Sequence, residues 1–338
     1  MTEPMHARPG DAGFRGVQRR LADLLGAADL TGATGPSLEA MRLAATEPPR
    51  LRAAPVIEGH ALRARRVDGA PTPGFAAFLD GTQASHVVCY YDGMPIVFGS
   101  VAAVVRMRRN RRHVTWPRGP LVERRLYAPL AYLPAGVHDA LRAEPLDVVD
   151  TTAPDESGER PIAHPLMLLD RAVHFVQADR ERAERDLAEA WCRGDGGNLF
   201  VDGGLQGSEI VAAAPCVVGV VKSHRTLYAD GDALRLVLAL GTGQRSSVIR
   251  IAAPRRAPVA SWYLRLRDPA GHDPMWGLVR VEAADRAVTE SPEQLAARAD
   301  AISRWILAET APLALPDGRW DKMVYGIRDC EQFLAAVC

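Results

Sequence analysis

Apolar and polar positions fall along this chain in blocks that predict alternating helices and strands. From Gly13 to about Ala45, VQRRLADLLGAADL and SLEAMRLAA predict two helices separated by the breaker TGATGP. Residues 46–74 are rich in Pro and Arg and predict an extended connection. FAAFLD (Phe75–Asp80) is the first core strand, and it stops on an acid followed by Gly81 and Thr82. HVVCYYDGMPIVFGSVAAVVRMRR supplies two or three more strands, with Asp92-Gly93 as a hairpin signal. Residues 126–150 carry short helical pieces, and TTAPDESGERP (151–161) is a polar loop. Pro165 to Arg193 predicts one long helix, with Phe175, Val176, Ala183, Leu187 and Ala190 at helical spacing. A strand then runs from Asn198 to Asp202 and ends in a Gly-Gly turn, and a second apolar run, Ala212 to Val221, ends on Lys222. HRTLYADGDALRLVLALGTGQRSSVIRI reads as a turn, a helix or strand, a Gly turn and a strand. VASWYLRLRD and WGLVRVEA alternate as antiparallel strands, with Arg280 projecting from the second. Ser291–Thr310 is an amphipathic helix with a capping start, and the tail holds Tyr325 and a last short helix.

Composition narrows the function classes. At 338 residues the chain makes one large domain or two modest ones. Formal charge is zero, 41 basic against 41 acidic residues, which excludes a uniformly basic nucleic-acid coat but allows a local stripe. The densest basic run is RMRRNRRH (Arg106–His113). With Trp116, Arg118, Arg124 and Arg125 it reads equally well as a lining for a nucleic-acid backbone or as a charged hairpin edge. The five cysteines are scattered without a CxxC pair, so neither a zinc site nor a disulfide framework is indicated. GTGQRS lacks the form of a phosphate loop. No apolar run reaches the ~18 residues of a membrane span, and no signal-peptide pattern opens the chain. The expectation is a cytoplasmic protein.

Candidate chemistry lies where apolar runs end on charges. The strand–acid–Gly pattern occurs twice, as FLDGT and FVDGG. Carboxylates clustered at partly desolvated strand ends take up protons or bind a cation; the plainer reading is a solvated Asp in a turn. Only two of the 41 basic residues are lysines, Lys222 and Lys322. A lysine at a strand end suits a site needing a compact ammonium rather than a flat guanidinium. On the long helix, at 100° per residue, Glu184 lies about 100° from Ala183 and Glu181 about 160°. Glu184 is therefore the better candidate to reach the core side, Glu181 stays open, and the alternative for both is a charged outer face with Arg partners. Asp80, Glu184 and Asp202 brought to one sheet edge would form an oxygen-rich site for Mg²⁺ or Mn²⁺. Two such ions roughly 4 Å apart activate water and stabilise a leaving oxygen in phosphodiester hydrolysis. Lys222 would neutralise charge on the scissile phosphate.

FLDGT, NLFVDGGL, CVVGVVK and WGLVRVE occur in the order and kind of the NurA nuclease family, which the chain resembles over about residues 75–330. The resemblance implies an α/β fold: an RNase H-like core with a mixed central sheet flanked by helices over residues 75–338, preceded by an N-terminal helical and extended arm, residues 1–74. It implies a Mn²⁺-dependent (or Mg²⁺-dependent) nuclease acting on DNA ends. Such proteins form homodimers and work with a hexameric HerA-like ATPase in end resection or phage defence. Asp80 and Asp202 take the places of two metal ligands, Lys222 that of the GVxK lysine, and Glu184, 18 residues before Asp202, that of the helix glutamate; Glu181, at 21 residues, stays open. The tail departs from the family: VYGIRDCEQF offers Tyr325 as a catalytic candidate, without a neighbouring Pro or a following His, and Glu331 stands near where the His belongs. Two other readings stay open, a catalytically silent NurA-like adaptor and an RNase H-like enzyme acting on RNA or RNA–DNA hybrids.

Overall fold

A computed structural model describes residues 9–25, 30–32, 48–110, 112–154, 160–194, 196–310 and 325–337. Helix α1 (Pro9–Leu25) precedes three short strands, β1 (Leu30–Gly32), β2 (Arg50–Leu51) and β3 (Ala64–Arg66). A long hairpin follows, β4 (Ala77–Tyr91) and β5 (Met94–Arg109), then β6 (Arg112–Thr115), β7 (Leu121–Ala128), α2 (Ala135–Arg142) and β8 (Asp147–Asp150). Helix α3 (Pro165–Cys192) leads to β9 (Leu199–Asp202), α4 (Glu209–Ala213), β10 (Val217–Val221), β11 (Thr226–Leu227) and α5 (Gly231–Leu238). The chain closes with β12 (Gln244–Ser246), β13 (Ile249–Ala253), β14 (Arg256–Arg265), β15 (Leu278–Ala284), α6 (Pro292–Glu309) and α7 (Tyr325–Val337).

These elements form the expected α/β class, a mixed central sheet flanked by helices. Strand order runs β3-β12-β14-β15-β10-β9-β4-β5-β7-β8, with β1 beside β4, β13 beside β14 and β6 beside β5. At its centre β4, β9 and β10 are parallel, with Leu79 opposite Val201 and Val220 opposite Asp202. Antiparallel pairs flank this trio, β4 with β5 and β10 with β15. The trio is buried on both faces, which accounts for its near-continuous apolar runs. Phe78, Phe200, Val218 and Val220 pack under α6 and α7, while Leu79, Val201 and Val217 pack under α3, α4 and α5. On α6 the stripe Leu295, Ala299, Ile302, Ile306 supplies the buried face, and Ser291 with Gln294 closes a capping box at its start.

Several local expectations change. Polar residues 81–86 do not break the first strand: β4 runs unbroken through them, because β5 pairs along its whole length, whereas β9 stops opposite Leu79. Leu30–Gly32, read as a helix end and breaker, pairs instead as a strand with Cys89–Tyr91. The second helix expected near residues 37–45 lies outside the described residues. Residues 50–66 provide two strands: β3 extends the main sheet beside β12, and β2 pairs with β11. Val17 and Leu21 of α1 share a core with Val88, Ile96 and Phe98 of the long hairpin. Among the described residues no helix is long and apolar enough to cross a membrane.

Candidate active site

Parallel pairing in register brings the two acids together. One step beyond the Leu79–Val201 pair, Asp80 of β4 stands beside Asp202, the last residue of β9, at the point where β4 runs on without β9. Side chains alternate between faces along a strand. Both acids therefore turn to the face that carries Phe78 and Phe200, under α7. Two residues past Val220, Lys222 follows on that face, its Nζ 2.7 Å from Asp202 Oδ2. The Asp80 carboxylate accepts the Gly81 N–H at 2.8 Å.

The helix acid arrives over the other face. The α3 stripe Val176, Ala183, Leu187, Trp191 is buried on the sheet, and Trp191 Nε1 donates to Gly197 O at 3.0 Å across the turn into β9. That packing sets Glu184 above Gly81. A Cβ at position 81 would run into Glu184, 2.8 Å from its Cγ, so glycine there lets the glutamate lie directly against β4, one residue from Asp80 along the strand. Glu181 points outward, 54% exposed, where it accepts from Gln177 Nε2. Glu184 is held by Arg180, one turn earlier, which also donates to Gln83 Oε1 at 3.1 Å. Gly219 of β10 does a related job: a Cβ there would stand 2.7 Å from Gly203 O, so only glycine lets the loop after Asp202 fold back over β10.

Electrostatics at this edge are those of crowded, dehydrated acids. The Asp80 carboxyl is pushed up to about 8, chiefly by burial, with Asp202 and Glu184 adding to it and Lys222 opposing. Burial likewise pushes Glu184 up to about 7; Arg180 opposes, and Glu181 and Asp202 add. Lys222 is held above its usual range: burial acts to lower it, but Asp202, Asp80 and Glu331 of α7 outweigh that. A cleft of ≈ 640 Å³ opens onto Asp80, Asp202, Lys222 and Glu331. Among the described residues no three His, Cys, Asp or Glu side chains are grouped closely enough to hold a metal ion as they stand. Glu184 is tied to Arg180 and Asp202 to Lys222.

Thus Asp80, Asp202, Lys222 and Glu184 share one sheet edge. Tyr325 begins α7, but its side chain lies outside the described residues. Arg180 had no signal of its own except spacing, i−4 from Glu184, and Gly81, although part of the FLDGT pattern, gave no sign in sequence that Glu184 packs on it. The basic run splits: Arg106 pairs with Asp329 of α7 at 2.6 Å and Arg108 with Glu309 at 2.6 Å, while Arg109, Arg112 and Arg118 are exposed.

No family model and no curated protein matches the chain. Among solved structures, the NurA nuclease from Sulfolobus solfataricus is similar, at a TM-score of 0.42 and 10% identity over 83% of this chain and 81% of that one. Function therefore rests on the geometry of the sheet edge.

Proposed function

We propose that the place where β9 and β10 end beside Asp80 of β4 is a phosphodiester-hydrolysing site and that the protein is a metal-dependent DNA nuclease. The observation that carries this reading is the register that sets Asp80 beside Asp202, with Lys222 at 2.7 Å. The donor chemistry fits a hard divalent cation, Mn²⁺ or Mg²⁺: all three acids offer oxygen only, two are buried enough to resist ionisation, and two side-chain cations now balance them. Asp80, Glu184 and Asp202 would hold the ion, Glu184 after releasing Arg180. Bound there, the ion would supply an activated water and charge neutralisation at the departing oxygen. Lys222 faces the same cleft and stabilises charge building on the scissile phosphate. Glu331 steadies the Lys222 ammonium from α7. The chain carries no ATPase motif, so attack on duplex DNA calls for a partner that opens it; the NurA resemblance makes a HerA-like hexameric ATPase the partner to test, with a homodimer as the working form.

The test is cleavage of end-labelled DNA by the purified full chain. We expect degradation with Mn²⁺ and none with EDTA, a loss of about 10²–10³-fold in kcat for Glu184→Gln, and wild-type rates for Glu181→Gln. Gly81→Ala should cost about 10²-fold in rate by displacing the glutamate, with little change in thermal unfolding. A second reading, a silent adaptor subunit, is favoured by the ion pairs that occupy Glu184 and Asp202. Absence of cleavage with Mn²⁺, alone and with a HerA-like ATPase, would select it.

A further inference from the structure

A second cleft, of ≈ 370 Å³, opens on the α3 face of the same sheet edge and meets the first at Arg180, Asp202, Gly203 and Val221. Arg280 lies on its wall, opposite Val221, the last residue of β10 and the one before Lys222. It is 9% exposed. One guanidinium nitrogen donates to Glu282 Oε1 at 2.5 Å, and the plane lies over the Tyr228 ring at 5.0 Å. Its Nε–H has no hydrogen-bond partner among the described residues. A buried charged donor without an acceptor is costly, and natural proteins keep one chiefly where a ligand supplies the acceptor.

The charges around it favour an anion. Every acid of the cleft is engaged: Glu282 by Arg280 and by the Leu205 N–H at 2.7 Å, Glu184 and Glu181 by Arg180, Asp202 by Lys222. Arg185 and Arg256 also line the cleft and share no ion pair among the described residues. Planar arginine forks are the groups suited to phosphate oxygens.

We propose that this second cleft is a phosphate subsite, built on Arg280, Arg185 and Arg256, for a non-scissile phosphate of the strand being cut. A single strand draped over this sheet edge presents one phosphate to Lys222 on the α7 face and a neighbouring one to Arg280 on the α3 face. The inference rests on the nuclease reading for the identity of the strand, but its binding test does not need turnover.

The experiment measures anisotropy of a fluorescein-labelled 20-nucleotide single-stranded DNA with the full chain in EDTA, across a salt series. Arg185→Ala and Arg256→Ala should each weaken binding about three- to tenfold and lower the slope of log affinity against log salt by about 0.7, the share of one single-strand phosphate contact. Arg280→Lys, which keeps a cation beside Glu282 but gives up the fork, should weaken binding similarly; Arg142→Ala on α2 is the charge-matched control. Wild-type affinity and slope in all three cleft variants, or no binding by the wild type, would overturn the subsite. Mn²⁺-dependent cleavage of the same oligonucleotide by the wild type is read separately. Cleavage with neutral arginines sinks the subsite alone, and arginine-dependent binding without cleavage sinks the nuclease reading alone.

Discussion

Asp80→Asn is expected to abolish metal-dependent cleavage, by about 10³-fold or more, and to make the metal-free protein more stable at pH 8 than the wild type. Both effects have one cause. The Asp80 carboxyl titrates near 8 in the folded chain, chiefly because it is buried and next because Asp202 is beside it, whereas an unfolded Asp titrates near 3.9. Between those values the folded state holds a proton that the unfolded state has lost, so stability falls as pH rises through the window. Glu184, pushed up to about 7, adds to the same slope between roughly 4 and 7. At pH 8 the metal-free wild type thus carries a burden on the order of a few kcal/mol. Asn removes it, yet keeps an oxygen for the Gly81 N–H. Thermal unfolding in EDTA at pH 5 and pH 8 should show the wild type losing several degrees and Asp80→Asn losing less. Adding Mn²⁺ should raise the wild-type midpoint at pH 8 and leave that of the variant nearly fixed, since only a bound ligand shifts the equilibrium. Equal pH slopes for the two proteins would remove the carboxylate cluster from the account.

The residues of that cluster were legible in the chain because each obeys a simple local rule. Asp80 and Asp202 each close an apolar run before glycine, although β4 itself continues past Asp80, and Lys222 directly follows the apolar run of β10. Glu184 sits beside the buried stripe of α3, and the structure separates it from Glu181 by what it covers, Gly81 rather than solvent. What stayed hidden depends on partners distant in sequence. β3 reads ARR and is exposed at all three positions; it joins the sheet through its backbone alone, which leaves no apolar alternation to find. Asp179 is a charged residue within the buried stripe of α3, and only the fold shows its partners, Tyr127 Oη at 2.6 Å and Arg125 at 3.0 Å. β4 reads as two strands because its polar middle is paired with β5 alone, the β9 side having ended at Leu79, and that same shortfall opens the cleft beside Asp80.

The N-terminal boundary is where such long-range pairing matters most, and Glu58→Ala is expected to destabilise the whole protein by about 3–5 kcal/mol. Glu58 and Arg245 are 2% and 1% exposed. Arg245 grips both Glu58 oxygens, at 2.7 and 3.0 Å, and its Nε reaches Asp300 of α6 at 2.6 Å. Glu58 also accepts the Val248 N–H at 2.9 Å. Truncating the acid leaves Asp300 as the one carboxylate still paired with the buried Arg245 guanidinium and leaves the Val248 N–H without its acceptor, which is far costlier than never having had the pair. Glu58→Gln keeps the shape and one acceptor and should lose less, while the double variant Glu58→Ala/Arg245→Met should recover much of the loss, since an apolar replacement removes the stranded charge. We propose on this basis that residues 50–67 fold with the sheet rather than as part of a separable arm. Were they an independent arm, urea unfolding of Glu58→Ala would keep the main transition of the wild type and lose at most a minor early one. If they are integral, the main transition itself moves.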